Sequence, residues 1–116
     1  MRIAYFTTDE VNQDLAVRMA ECCGATVYLL SPQDTPPDGC FDAVLYDWDY
    51  WPVASRREVL QQLLAAPAPG LVAIHGYHLD EEHAAALQRN GVVMFRRLEP
   101  RIFLFLRRAT RQGLAG

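Results

Sequence analysis

The sequence contains no lysine: all eleven of its basic residues are arginines. It also has no Gly-rich loop, no CxxC pair and no HxH or HExxH spacing. These gaps remove the usual signatures of a phosphate-cradling loop, a thiol redox centre and a zinc-protease site. Cysteines are few, and Cys22, Cys23 and Cys40 form an odd set whose adjacent pair cannot easily bridge on a helix, so free thiols are expected. The longest apolar run, Ile102 to Leu106, is far too short to span a bilayer. The N-terminus runs straight into Arg2-Ile3-Ala4-Tyr5-Phe6 without the layout of a signal peptide, and a soluble, cytoplasmic protein is the expectation.

What is present is an ordinary globular composition, 51% hydrophobic and 22% charged over 116 residues. That length fits one domain with its own core, expected over residues 1–116, and no repeat or linker interrupts it. Charge is unevenly spread. Six arginines from Arg96 onward face only Glu99, so this tail carries +5 and the first 95 residues carry −8. The acidic body would repel a phosphate backbone and no aromatic-basic motif interleaves the tail, so nucleic acid is not the expected partner.

Strand and helix signals alternate along the chain. Arg2 to Phe6, Ala25 to Leu30, Ala43 to Tyr46, Leu71 to Ile74 and Val92 to Phe95 are short apolar runs that read as buried parallel strands. Between them, Thr8 or Asp9 can cap a helix over Val11 to Cys23, with Val11, Leu15 and Met19 on its apolar face and Gly24 at its end. Pro52 opens a second helix, Val53 to Ala66, with Val53, Val59, Leu60, Leu63 and Leu64 inward and Arg56 facing water. Asp80 caps a third over Glu81 to Arg89. Gln33 to Cys40, with two prolines and a glycine, cannot hold a helix, so the crossover between strands 2 and 3 loses its helix or keeps only a turn. The stretch from Arg101 to Gln112 can be read as a strand or a helix, and Pro100 favours a helix from its first turn.

This rhythm predicts an α/β, three-layer sandwich with a five-stranded parallel sheet in the order 2-1-3-4-5 and right-handed crossovers. Ligands of such sheets bind outside the carboxyl ends of the strands, where Thr7, Thr8, Asp9, Asp47, Asp49 and His75 should gather. The chain is organised around Phe41 to Pro52, FDAVLYDWDYWP, an apolar strand that delivers Asp47 and Asp49 to that rim.

The size, the strand rhythm and FDAVLYDWDYWP resemble the receiver domain of two-component response regulators, in which a strand of this form ends in a phosphate-accepting aspartate. The resemblance puts Asp47 at the phosphoacceptor position and Asp42 on the acidic residue five places earlier. Receiver chemistry also requires a carboxylate pair for Mg²⁺, a hydroxyl after strand 4 and a lysine after strand 5. Here the pair becomes Thr7 and Thr8 with Asp9 one step late, His75 or Gly76 replaces the hydroxyl, and Glu99-Pro100 replaces lysine-proline. A phosphoryl group on Asp47 would meet Glu99 and no ammonium. The resemblance therefore implies a degenerate receiver, or pseudo-receiver: a signalling or protein-interaction module independent of phosphorylation, with no catalytic residue, cofactor or resident metal.

Two other readings stay open. Asp47, Asp49, His75 and His78 could hold Zn²⁺, Mn²⁺ or Fe²⁺ in a small enzyme. Thr7-Thr8 at a helix start could serve a nucleotide or flavin, although Asp9 and Glu10 oppose an anion there. Trp48, Tyr50 and Trp51 either cap the core or form rigid anchors for a partner. Phe103 and Phe105, with the arginines around them, imply an exposed face and a twofold homodimer through the last helix and strand edge.

Overall fold

The computed structural model describes residues 1–34, 40–65 and 70–111. Strands β1 (Arg2–Phe6), β2 (Thr26–Leu30), β3 (Ala43–Asp47), β4 (Leu71–His75) and β5 (Val93–Phe95) form one sheet in the order β2-β1-β3-β4-β5. Every pairing is parallel. Helices α1 (Glu10–Cys22), α2 (Val53–Ala65), α3 (Glu81–Arg89) and α4 (Pro100–Arg111) cover the sheet. The last segment is thus a helix, with Pro100 in its first position as its fixed φ favours.

Alternation along the strands divides the core. Ile3, Tyr5, Ala43, Leu45, Leu71 and Ala73 face α1 and α4, where they meet Ala16, Ala20, Ile102, Phe103, Leu106 and Ala109. Ala4, Phe6, Val72 and Ile74 face the other way, against Leu87 of α3 and Val59, Leu60, Leu63 and Leu64 of α2. The crossover from β2 carries a turn at Ser31 to Asp34 and no helix among its described residues; residues 35–39 of the Pro-rich stretch lie outside them.

Helix faces differ from the sequence reading in two places. The buried stripe of α1 is Ala16 and Ala20, whereas Val11 is 65% exposed and Leu15 39%. Small residues let the helix approach the sheet closely, and the larger ones are turned outward. On α2 no residue is fully buried and Val53 is 75% exposed. Arg56, expected in water, is half-buried and donates to the carbonyls of Trp48 and Asp49. It fastens the helix to the loop that precedes it.

Candidate functional site at the end of strand β3

The stripe of β1, β3 and β4 that faces α1 and α4 changes character at its carboxyl end. After Ile3, Ala43 and Leu71 come Tyr5 and Thr7, then Asp47 and His75, still on the same face by strand periodicity and in register with each other across β3 and β4. Thr7, Asp47 and His75 are the three buried polar residues among those described. Each must therefore find partners within the protein.

They find them in one another. Oδ2 of Asp47 accepts from the hydroxyl of Thr7 at 2.7 Å and from the side-chain amide of Asn12 at 2.8 Å. Oδ1 lies 3.4 Å from the amide of Tyr50 and 3.9 Å from Nδ1 of His75. On the far side of the imidazole, Nε2 is 2.7 Å from the phenol oxygen of Tyr5. Burial, with the charge of Asp47 behind it, pushes the Tyr5 phenol far above its ordinary range, so this group stays protonated. A protonated phenol can donate to Nε2, and in that tautomer the imidazole proton sits on Nδ1, facing Asp47. Burial also holds His75 below the usual imidazole range, against an opposing pull from Asp47 and Asp49.

The carboxylate of Asp47 is fully buried. Three neutral donors, two side chains and one main-chain amide, replace the charged partner that a buried anion would otherwise need. The arrangement satisfies the carboxylate oxygens within the protein and closes them off from solvent.

Several predicted crevice residues are occupied elsewhere. Asp9 turns onto α1, where its carboxylate accepts from the amide of Asn12 at 2.9 Å as N-cap. Thr8 donates to the carbonyl of Tyr50. Asp49 binds the amides of Tyr77 and His78 and so clamps the β4–α3 turn to the β3–α2 loop. Glu99 pairs with Arg97 at 3.3 Å and Arg101 at 3.7 Å, so its charge is matched on the surface rather than turned on Asp47. The four residues read as metal ligands do not converge, because the Asp49 carboxylate faces main-chain amides. Among the described residues no three His, Cys, Asp or Glu side chains are grouped for a metal.

The partner-facing set also needs correction. Trp48, Trp51 and Phe103 are buried: Trp51 packs edge-on against Phe6 and Tyr46, and Phe103 sits between α4 and the sheet. Helical geometry decides the last case. Phe103 falls on the stripe of Ile102, Leu106 and Ala109, whereas Leu104 (52% exposed) and Phe105 (40%) fall outside it. Of the exposed aromatics, Phe105 rests edge-on against Phe95 of the β5 edge.

Sequence reasoning missed Tyr5 and Asn12. For Asn12 there was a usable signal: an amide side chain in the first turn of a helix whose cap directly follows a central strand looks into the crevice. Tyr5 could be found only by asking what satisfies a buried histidine 70 residues away.

This sheet order, with helices on both sides, is that of a flavodoxin-like α/β fold. Solved structures of that fold match nearly end to end. A response regulator receiver protein from Pseudoalteromonas atlantica superposes with a TM-score of 0.69 at 10% identity, covering 98% of this chain and 99% of that one. A pilus assembly-related protein from Burkholderia pseudomallei gives 0.64 at 19% identity, over 97% and 90% of the two chains. The ChxR receiver domain from Chlamydia trachomatis gives 0.58 at 16% identity, over 95% and 97%. No family model matches the chain, and no curated protein matches it.

Proposed function

We propose that this chain is a degenerate, receiver-like signalling module, one domain over residues 1–116, that works through protein contact and without phosphoryl transfer to Asp47. The observation that supports it is the closed state of that carboxylate: Asp47 is 0% exposed, and Oδ2 already accepts from Thr7 and Asn12. An in-line attack on a phosphoryl donor needs an open carboxylate oxygen and cations to offset the incoming charge. The chain has no lysine to supply one, and threonines stand where a Mg²⁺ pair would be. Incubation with acetyl phosphate and Mg²⁺, followed by intact-mass and peptide analysis, is expected to leave Asp47 unmodified. A phospho-Asp47 adduct refutes the proposal.

The partner surface assigned under this reading is α4 with the β5 edge. Leu104 and Phe105 stand out of the core there, among Arg101 and Arg108. A second copy meeting this patch about a twofold axis would cover both apolar side chains. Sedimentation at high micromolar concentration is expected to show a dimer that Phe105→Asp dissociates; a monomer throughout would remove this part. We place the module in the cytoplasm, where its free thiols Cys22, Cys23 and Cys40 would stay reduced. No helix among the described residues is long and apolar enough to cross a membrane.

A further inference from the structure

The closed site contains one imidazole, the side-chain type whose charge is most easily switched by a modest change of pH. His75 is buried between the phenol of Tyr5 on β1 and the carboxylate of Asp47 on β3. The contact to Tyr5 is a full hydrogen bond at 2.7 Å; that to Asp47 stands open at 3.9 Å. The charged groups that act on the imidazole are acidic, Asp47 beside it and Asp49 in the adjoining loop, with Asp9 acting on Tyr5 beyond; past the neighbouring β5 strand, Arg97 and Arg101 are paired with Glu99. Arg56 reaches only the main-chain carbonyls of Trp48 and Asp49. On the α4 side the packed residues are Ile102, Phe103, Leu106 and Ala109, which carry no charge.

We infer that His75 and Asp47 form a proton-operated latch, in which protonation of the imidazole closes the 3.9 Å gap to Asp47 and shifts the β4–α3 turn. A solvent proton adds to Nε2. Tyr5 keeps its own proton, but its hydroxyl must rotate, because it now accepts from Nε2 instead of donating to it. Nδ1–H and Oδ1 then become an imidazolium–carboxylate pair, whose preferred separation is roughly 1 Å shorter than the gap observed. The neutral imidazole is favoured by burial and the cation by Asp47 and Asp49, so the two states oppose each other within the same pocket.

The displacement has a rigid path outward. The carbonyl of His75 accepts the amide of Trp48 at 2.9 Å, and the amide of Gly76 donates to the carbonyl of Phe95 at 3.0 Å. Gly76 lies so close to Trp48 that a β-carbon there would be 2.8 Å from the Trp48 Cβ. Tyr77 and His78 are tied through their amides to Asp49. A shift of His75 therefore moves this turn as a unit and repositions Tyr77, whose ring is exposed.

This inference rests on the reading of Asp47 as a closed carboxylate. It is tested by NMR on the full chain, following the histidine Cε1–H signals and the amides of Trp48, Gly76 and Tyr77 against pH. The expected result is that His75 titrates reversibly in the folded protein, and that those three amides share its midpoint. In Asp47→Asn the midpoint falls by about one pH unit or more, because the attracting charge is gone. His78→Gln and His83→Gln leave it in place. Titration of His75 without the linked amide shifts, titration only together with global unfolding, or an unchanged midpoint in a folded Asp47→Asn protein would each overturn the latch. The wild-type titration decides by itself if that variant does not fold. A phospho-Asp47 adduct, by contrast, would defeat the closed-site reading and leave the titration result standing.

Discussion

The hydroxyl of Thr7 stands between two groups and serves both: it donates to Oδ2 of Asp47 at 2.7 Å and accepts the amide of Asp9 at 3.1 Å. One side chain thus fixes the buried carboxylate and the residue that caps α1. Thr7→Val keeps the shape and deletes both bonds. We expect a loss of about 1–3 kcal/mol from leaving buried polar groups unpaired, read as a lower urea midpoint with unchanged slope. Thr7→Ser should recover most of it.

Gly76 is required by close approach to Trp48, not by an unusual φ. A β-carbon at 2.8 Å from the Trp48 Cβ and 3.2 Å from Oδ1 of Asp49 forces one loop to move. Gly76→Ala is expected to lower stability by roughly 1–3 kcal/mol. It should also weaken the Asp49 clamp, seen as faster hydrogen exchange at the amides of Tyr77 and His78.

Two phenylalanines on one helix should behave in opposite ways. Phe103→Ala removes a fully buried ring and is expected to cost about 3–5 kcal/mol. Phe105→Ala removes a ring that is 40% exposed and should cost far less in the thermal transition. The second variant, not the first, is the one expected to weaken self-association in a folded protein.

Stability should fall in mild acid through His75. Its folded-state pKa is lowered, chiefly by burial, so the unfolded chain takes up the proton first. The contribution is therefore complete above the unfolded value, about 6.5, and is lost as pH falls from there through the lower folded value. Urea midpoints at pH 7.5 and pH 5.5 should differ more for the wild type than for His75→Gln; equal differences would contradict this assignment.

Much of the fold could be read from residues because parallel strands buried on both faces leave unbroken apolar runs, as Ile3 to Phe6 and Leu71 to Ile74 do. The crossover after β2, which carries a turn and no helix among its described residues, and the helical reading from Pro100 both followed from proline chemistry. The helix faces were harder. Val11 and Leu15 are the more hydrophobic residues of α1, yet Ala16 and Ala20 face the sheet, since closeness of packing selects for size as well as polarity. The site was only partly legible for a related reason. Asp47 and His75 were placed at one rim by strand ends, but which acids look inward depends on single-residue phase. Asp47 continues the core stripe of β3, while Asp49 lies beyond the strand and binds a neighbouring turn.

The central position of β1 has a consequence for assembly. β1 lies between β2 and β3, so once β2 has paired with it, one edge remains bare until Ala43 to Tyr46 emerges to fill it. Apolar side chains at every position of that incoming segment make a slip by one residue tolerable to oil alone. Such a slip would turn Asp47 away from Thr7 and Asn12, its partners 40 and 35 positions earlier, and strand an anion among hydrocarbons. The hydrogen bonds of this acid therefore favour a single register for the third strand.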